Sequence, residues 1–156
     1  MEEHGVVPVD EGLRLRPFAG EPDVDVALPW YAESRPYDRA RLFATYDALG
    51  TAGELYLVER STASGWEPVG CVTLAPDMLP IVIAPAHRRR GIARAVLLRL
   101  VDRARVLGWE ELQVREVHPD DAPSQALFEG LGFIARADAP PAYVLRLGPL
   151  ATRRRG

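Results

Sequence analysis

The chain has 156 residues, 47% of them hydrophobic and 26% charged, with a net charge of −3. That size and composition fit a globular domain that buries a core without disulfides or metals. They exclude several classes: a general nucleic-acid binder carries a basic excess, no apolar run approaches membrane-spanning length, and the single cysteine, Cys71, permits no intrachain disulfide and fits a reducing cytoplasm.

Residues 1–12 read as a flexible leader with no signal-peptide core, 151–156 as a flexible tail, and 13–150 as a single domain. The alternating LRLRPF at 13–18 is expected to be a strand. Residues 21–34 read as a helix with Pro22 in its first turn and a break or kink at Pro29. A second helix is expected over 38–50, with Asp38 as N-cap and Gly50 just past its end. Strands over 53–60 and 66–75, joined by Ala63-Ser64-Gly65, form a hairpin. The apolar run 78–84 has the pattern of a strand buried on both faces, with a bulge or break at Pro80. The clearest helix is 91–108, where Ile92, Ala93, Val96, Leu97, Leu100, Ala104 and Leu107 fall on one arc and Gly108 is the stop signal. A strand over 111–117, a short helix over 121–132 and a pair of strands within 133–147 complete the chain. The order β, α, α, β, β, β, α, β, α, β, β is that of an α/β chain with a mixed sheet.

The segment HRRRGIA (87–93) stands between the buried strand and the main helix. A helix N-terminus presents free backbone N–H groups and partial positive charge, which together favour an anion. Gly91 lets a ligand approach the backbone, Ala93 keeps the first turn thin, and Arg88, Arg89 and Arg90 add charge-assisted contacts. A phosphate or pyrophosphate suits such a turn. Spacing alone leaves nucleic acid and a merely solvated basic turn open, because neither common nucleotide-loop pattern is present. All 19 basic residues are arginine, which fits codon usage in a GC-rich genome, so the choice of arginine over lysine carries little weight.

The stretch IVIAPAHRRRGIA resembles the acyl-CoA motif of the GNAT N-acetyltransferase superfamily: Ile83-x-Pro85, then Arg88-x-x-Gly91-x-Ala93. Downstream, DDAPSQALFEGLGF resembles the superfamily's second signature, a short helix ending in Gly-Phe. The resemblance spans about residues 13–147 and implies a mixed, mostly antiparallel central sheet flanked by helices and parted between two central strands. It implies acetyl-CoA as co-substrate, with its pyrophosphate on the loop (Arg88, Arg89, Arg90, Gly91, Ile92, Ala93, Arg94) and its pantetheine along Ile81, Val82 and Ile83. Ser124 and Phe128 of the second motif would also face the cofactor.

The same resemblance suggests Asp77 as general base. Glu116 and His118, across the gap, are alternatives as a proton relay. Otherwise Asp77 caps a turn, Glu116 pairs with an arginine and His118 is a surface residue. Phe128 departs from the motif, whose usual tyrosine protonates the leaving thiolate. Either water or Ser124 substitutes, or no acid is needed. Trp30, Tyr31 and Tyr37 would wall the acceptor pocket, or else pack as core and rim. Cys71 reads as a small core residue. One Cys and three scattered His make no metal site. The expected activity is acetyl transfer from acetyl-CoA to a primary amine by direct attack in a ternary complex. The alternative is a non-catalytic acyl-CoA-binding domain. The expected partner is a small-molecule or peptide amine, with no nucleic acid and no membrane. A homodimer is left open, and the expected location is cytoplasmic.

Overall fold

The structure is a computed structural model that describes residues 5–32, 38–52, 54–75, 77–78, 81–88, 90–115, 122–136 and 142–148. The chain forms two compact units, Met1–Thr73 with Ile81–Val96 and Leu74–Pro80 with Leu97–Gly156.

The first unit carries a five-stranded sheet in the order β1-β2-β3-β4-β6. Its strands are β1 (Val7–Asp10), β2 (Leu13–Pro17), β3 (Glu54–Thr62), β4 (Gly65–Leu74) and β6 (Val82–Ile83). β1 places Val7–Asp10, expected as part of a flexible leader, in the sheet. It pairs antiparallel with β2, and the Asp10 carboxylate accepts the Gly12 N–H at 2.9 Å, closing the turn between them. β3 has both faces covered, since Tyr56, Leu57, Val58 and Glu59 are all buried.

Among the described residues of this unit two carboxylates are buried, Glu59 and Asp23. Buried ions are tolerated when paired and hydrogen-bonded. Glu59 accepts from Arg14 Nε at 2.8 Å and from Arg16 Nε at 3.0 Å. Arg16 donates onward to both oxygens of Asp23, which also accepts the Ala19 N–H at 2.7 Å. The Asp23 hydrogen bond is the main reason that the Arg16 pKa is raised. Arg14 also stacks over the Trp66 ring at 4.2 Å. This chain of contacts fastens helix α1 (Glu21–Ala32) to β2 at its first turn.

α1 continues through Pro29 rather than breaking there. Its buried Val24 and Ala27 belong to a core cluster with Phe18, Leu42, Leu57 and Cys71, and that packing offsets the lost backbone bond. Helix α2 (Arg39–Ala52) starts as expected: the Asp38 side chain accepts the Arg41 N–H at 2.8 Å. It runs past Gly50 to Ala52, so Gly50 is not its stop. Arg39 joins α2 to α1 through Asp25 at 2.6 Å and Glu21 at 2.7 Å. That arginine holds the Asp25 carboxyl below its ordinary range.

The second unit carries a four-stranded sheet in the order β5-β7-β9-β8. Its strands are β5 (Asp77–Met78), β7 (Glu111–Arg115), β8 (Ile134–Arg136) and β9 (Ala142–Arg146). β5 pairs parallel with β7, and β9 pairs antiparallel with both β7 and β8. The apolar run 78–84, expected as one strand, is therefore two. Met78 pairs with β7, whereas Val82 and Ile83 pair with β4 in the other sheet. The expected break falls in this stretch, and Pro80 itself lies outside the described residues.

Helix α3 (Ile92–Val106) begins in the first unit and continues into the second. Val96, Leu97, Leu100 and Ala104 are buried as the periodicity requires. Leu107 lies past the helix end and is exposed, which corrects its place on the buried arc. Gly108, at φ +85°, ends the helix. Its N–H donates to Arg105 C=O and the Trp109 N–H to Ala104 C=O, the paired bonds of a left-handed glycine cap. Helix α4 (Ala122–Gly130) ends the same way. Gly132 is at φ +96°, and the Phe133 N–H donates to Phe128 C=O at 3.0 Å.

Candidate active site

β6 leads directly into the arginine–glycine turn. The Ala84 N–H donates to Val69 C=O at 2.8 Å, and Pro85–His87 form a single 3₁₀ turn closed by the His87 N–H on Ala84 C=O. Arg88 folds back, its Nε donating to the Ile83 carbonyl at 2.9 Å. The first intrahelical bond of α3 runs from the Ala95 N–H to Gly91 C=O at 3.0 Å, which makes Gly91 the N-cap. The amides of Ile92, Ala93 and Arg94 then have no acceptor within the helix. Gly91 is exposed, stands at φ +76°, and has nothing within 4 Å of where a Cβ would project.

Open space over a helix N-terminus, with Arg90 and Arg94 exposed, has the chemistry that favours an anion. The residues present fit a diphosphate. Ile92 is buried, so it offers its amide rather than its side chain. Arg88 is tied to the strand, though one bond does not exhaust the five donors of a guanidinium. Ile81 and Val82 are half-buried and Ile83 is buried. Arg89 lies outside the described residues.

The other sequence candidates are distributed as follows. Asp77 opens β5 opposite Gln113, and its side chain lies outside what the structure describes. Glu116, His118 and Tyr37 lie outside the described residues, as does the side chain of Tyr31. Trp30 is half-buried and packs against the core cluster under α1. Cys71 is fully buried in the same cluster. Ser124 is half-buried in the first turn of α4. Among the described residues no group of His, Cys, Asp or Glu could hold a metal ion, and no helix is long and apolar enough to cross a membrane.

Phe128 is a packing residue. Its ring is 1% exposed, meets Phe133 edge-on at 5.3 Å and lies 5.9 Å from the Tyr143 ring. The Phe128–Phe133 contact is the apolar pair that accompanies the glycine cap of α4. Phe128→Ala is expected to destabilise the protein by about 3–5 kcal/mol, the scale of a large-to-small change at a buried ring. Urea denaturation measures it, and a loss under about 1 kcal/mol would contradict the packing role.

Tyr143 donates to Glu129 at 3.2 Å. Burial first, then that carboxylate, raises its phenol above the ordinary 10.0. The folded state thus holds this proton more tightly than the unfolded state. The resulting stability is complete below the ordinary value and is lost as pH rises through the raised one. The stability difference between wild type and Tyr143→Phe is expected to shift against wild type from about pH 9 to pH 11. Urea midpoints whose difference stays constant over that range would contradict it.

Gly70 was not singled out from the sequence. A glycine inside a strand facing a buried strand was the available signal, since such a position marks close backbone approach.

Among the described residues the chain thus carries a five-stranded and a four-stranded sheet, mainly antiparallel, with four helices, a mixed α/β fold that solved acetyltransferases share. An acetyltransferase from Agrobacterium tumefaciens has a similar structure (TM-score 0.72, 21% identity, 90% of this chain and 94% of that one). So does yncA of Salmonella typhimurium, solved with acetyl-CoA (TM-score 0.69, 20% identity, 90% and 97%). A spermidine N-acetyltransferase from Vibrio cholerae, described as dodecameric, is similar as well (TM-score 0.70, 18% identity, 93% and 100%). No curated relative matches the sequence. The model of the acetyltransferase (GNAT) family matches residues 24–133, and the chain belongs to that family. It is an acetyl-CoA-dependent N-acetyltransferase.

Proposed function

We propose that the protein acetylates a primary amine of a small molecule or peptide by direct attack within a ternary complex, holding the acetyl-CoA diphosphate at the N-terminus of α3. The observation that carries this reading is the exposed Gly91 cap at φ +76°, with open space above it and Arg90 and Arg94 exposed beside it. Arg88, and Arg89 with it, adds charge to the same turn. The similarity to a spermidine N-acetyltransferase supports an amine acceptor.

In this reading acetyl-CoA supplies the acetyl group as a thioester. Backbone amides of 81–83 orient the bound chain and stabilise negative charge on the carbonyl oxygen. Asp77 takes the proton of the amine, with Glu116 and His118 as the alternatives. The departing thiolate needs little help, because a thiol titrates near ~8.5. Phe128 can donate no proton, so Ser124 or water completes the step where one is needed. Trp30, Tyr31 and Tyr37 border the acceptor. The cytoplasmic setting expected from the lone cysteine belongs to the same reading, and sedimentation of the purified protein decides whether it is a homodimer.

The test is thiol release from acetyl-CoA with a panel of polyamines, aminoglycosides, small amines and peptides with free N-termini. At least one class should give thiol matched by acetylated amine in the mass spectrum. A panel that never exceeds the amine-free rate, with acetyl-CoA bound, would contradict the proposal.

A further inference from the structure

β6 is only two residues long, yet it fixes the entry to the arginine–glycine turn. What holds it in place is visible on β4. Gly70 is paired with Ile83 and Cys71 with Val82. A Cβ at position 70 would lie 2.5 Å from the Val82 carbonyl oxygen, 2.9 Å from Ile83 Cδ1 and 3.2 Å from Ile83 Cα. Two of these three atoms are backbone, so no side-chain rotation relieves the crowding. The backbone of Gly70 is otherwise ordinary, without a left-handed φ. It is glycine because of what lies on top of it.

Ile83 then passes this position on. Its carbonyl accepts the Arg88 Nε at 2.9 Å, and Arg88 stands three residues before the N-cap Gly91. We infer that Gly70 is the positioning residue of the cofactor site: by admitting β6 at glycine-only distance it sets the height of the 81–83 backbone and, through the Ile83 carbonyl, the placement of Arg88. The inference rests on the reading of 81–94 as the acetyl-CoA site.

Gly70→Ala forces β6 away from β4. It should weaken acetyl-CoA binding about 10-fold or more, a scale that displacement of a positioned group by a fraction of an ångström reaches. The KM for the amine should move by less than about twofold; a uniform loss of folded protein would alter neither constant, so a weaker acetyl-CoA affinity marks positioning rather than unfolding. Gly12→Ala is the control. Gly12 has an ordinary backbone and nothing within 4 Å of a Cβ, so its affinity should match wild type. Should Gly70→Ala fail to fold, Gly70→Ala/Ile83→Val removes the Cδ1 contact and is compared with Ile83→Val alone.

Calorimetry with acetyl-CoA reads the affinities, and thiol release the KM, with Arg88→Ala and Gly91→Glu in the same series. Weakened binding in the Gly70 variant with Gly12→Ala unchanged supports the inference. Unchanged affinity at Gly70 while Gly91→Glu loses binding overturns it and leaves the site reading standing. Unchanged affinity in Gly91→Glu and Arg88→Ala as well overturns the site reading itself. If neither Gly70 variant folds, the residue serves the fold at large and the positioning role is wrong.

Discussion

Gly91→Glu should weaken acetyl-CoA binding by at least about 100-fold, or about 2.7 kcal/mol. The N-cap stands at φ +76°, where a side chain costs the fold about 1–2 kcal/mol with or without ligand, so the loss of affinity comes from charge and bulk. The new carboxylate projects into the open space above the free amides of α3, where a diphosphate would sit, and like charges repel there. Arg88→Ala should be milder, about 10-fold, because a charge-assisted contact is worth about 1.5–3 kcal/mol and part of this side chain is already spent on the Ile83 carbonyl. Calorimetry on variants shown to be folded by circular dichroism measures both. Unchanged affinity in both would remove the loop from the cofactor site.

Asp77→Asn should lower turnover by about 10²-fold or more while leaving acetyl-CoA affinity unchanged, the usual scale for losing a general base. An amine like that of lysine is protonated near neutrality, with a pKa of ~10.4, so a proton must leave before or during attack. A free aspartate, near ~3.9, is a weak base and needs desolvation or a bridging water to act. The deficit should shrink as pH rises, because more amine arrives neutral. An Asp77→Asn rate that holds at every pH, together with losses in Glu116→Gln or His118→Ala, would move the base to the segment after β7.

The parts of the fold legible in the sequence were those governed by local chemistry. Asp38 at the start of α2 and the glycine cap at Gly108 follow from backbone groups within one turn of each residue. The buried face of α3 follows from its period, apart from Ala93, which is half-buried, and Leu107, which the Gly108 cap leaves outside the helix. What stayed hidden depends on partners distant in sequence. An apolar run such as 78–84 reads as a single strand because periodicity does not reveal that Met78 and Val82 belong to different sheets. The pairing of Arg14 and Arg16 with Glu59 needs the register of β2 against β3, which no local pattern supplies.

The candidate site divides along the same line. The arginine–glycine turn was readable because a helix start after a buried strand is a local event. Its dependence on Gly70 was not, since that glycine is defined by the Val82 and Ile83 backbone lying over it. Phe128 lacks the hydroxyl of the motif's tyrosine, which the sequence shows at once, whereas its burial against Phe133 and Tyr143 needs the tertiary structure.

The central claim is that acetyl-CoA binds on the N-terminal amides of α3. Amide chemical-shift changes on titration with acetyl-CoA test it most directly. The largest shifts should fall on Gly91, Ile92, Ala93 and Arg94, with Val82 and Ile83 moving in step at the same saturation. Saturable binding that leaves those six amides in place and shifts others would contradict it.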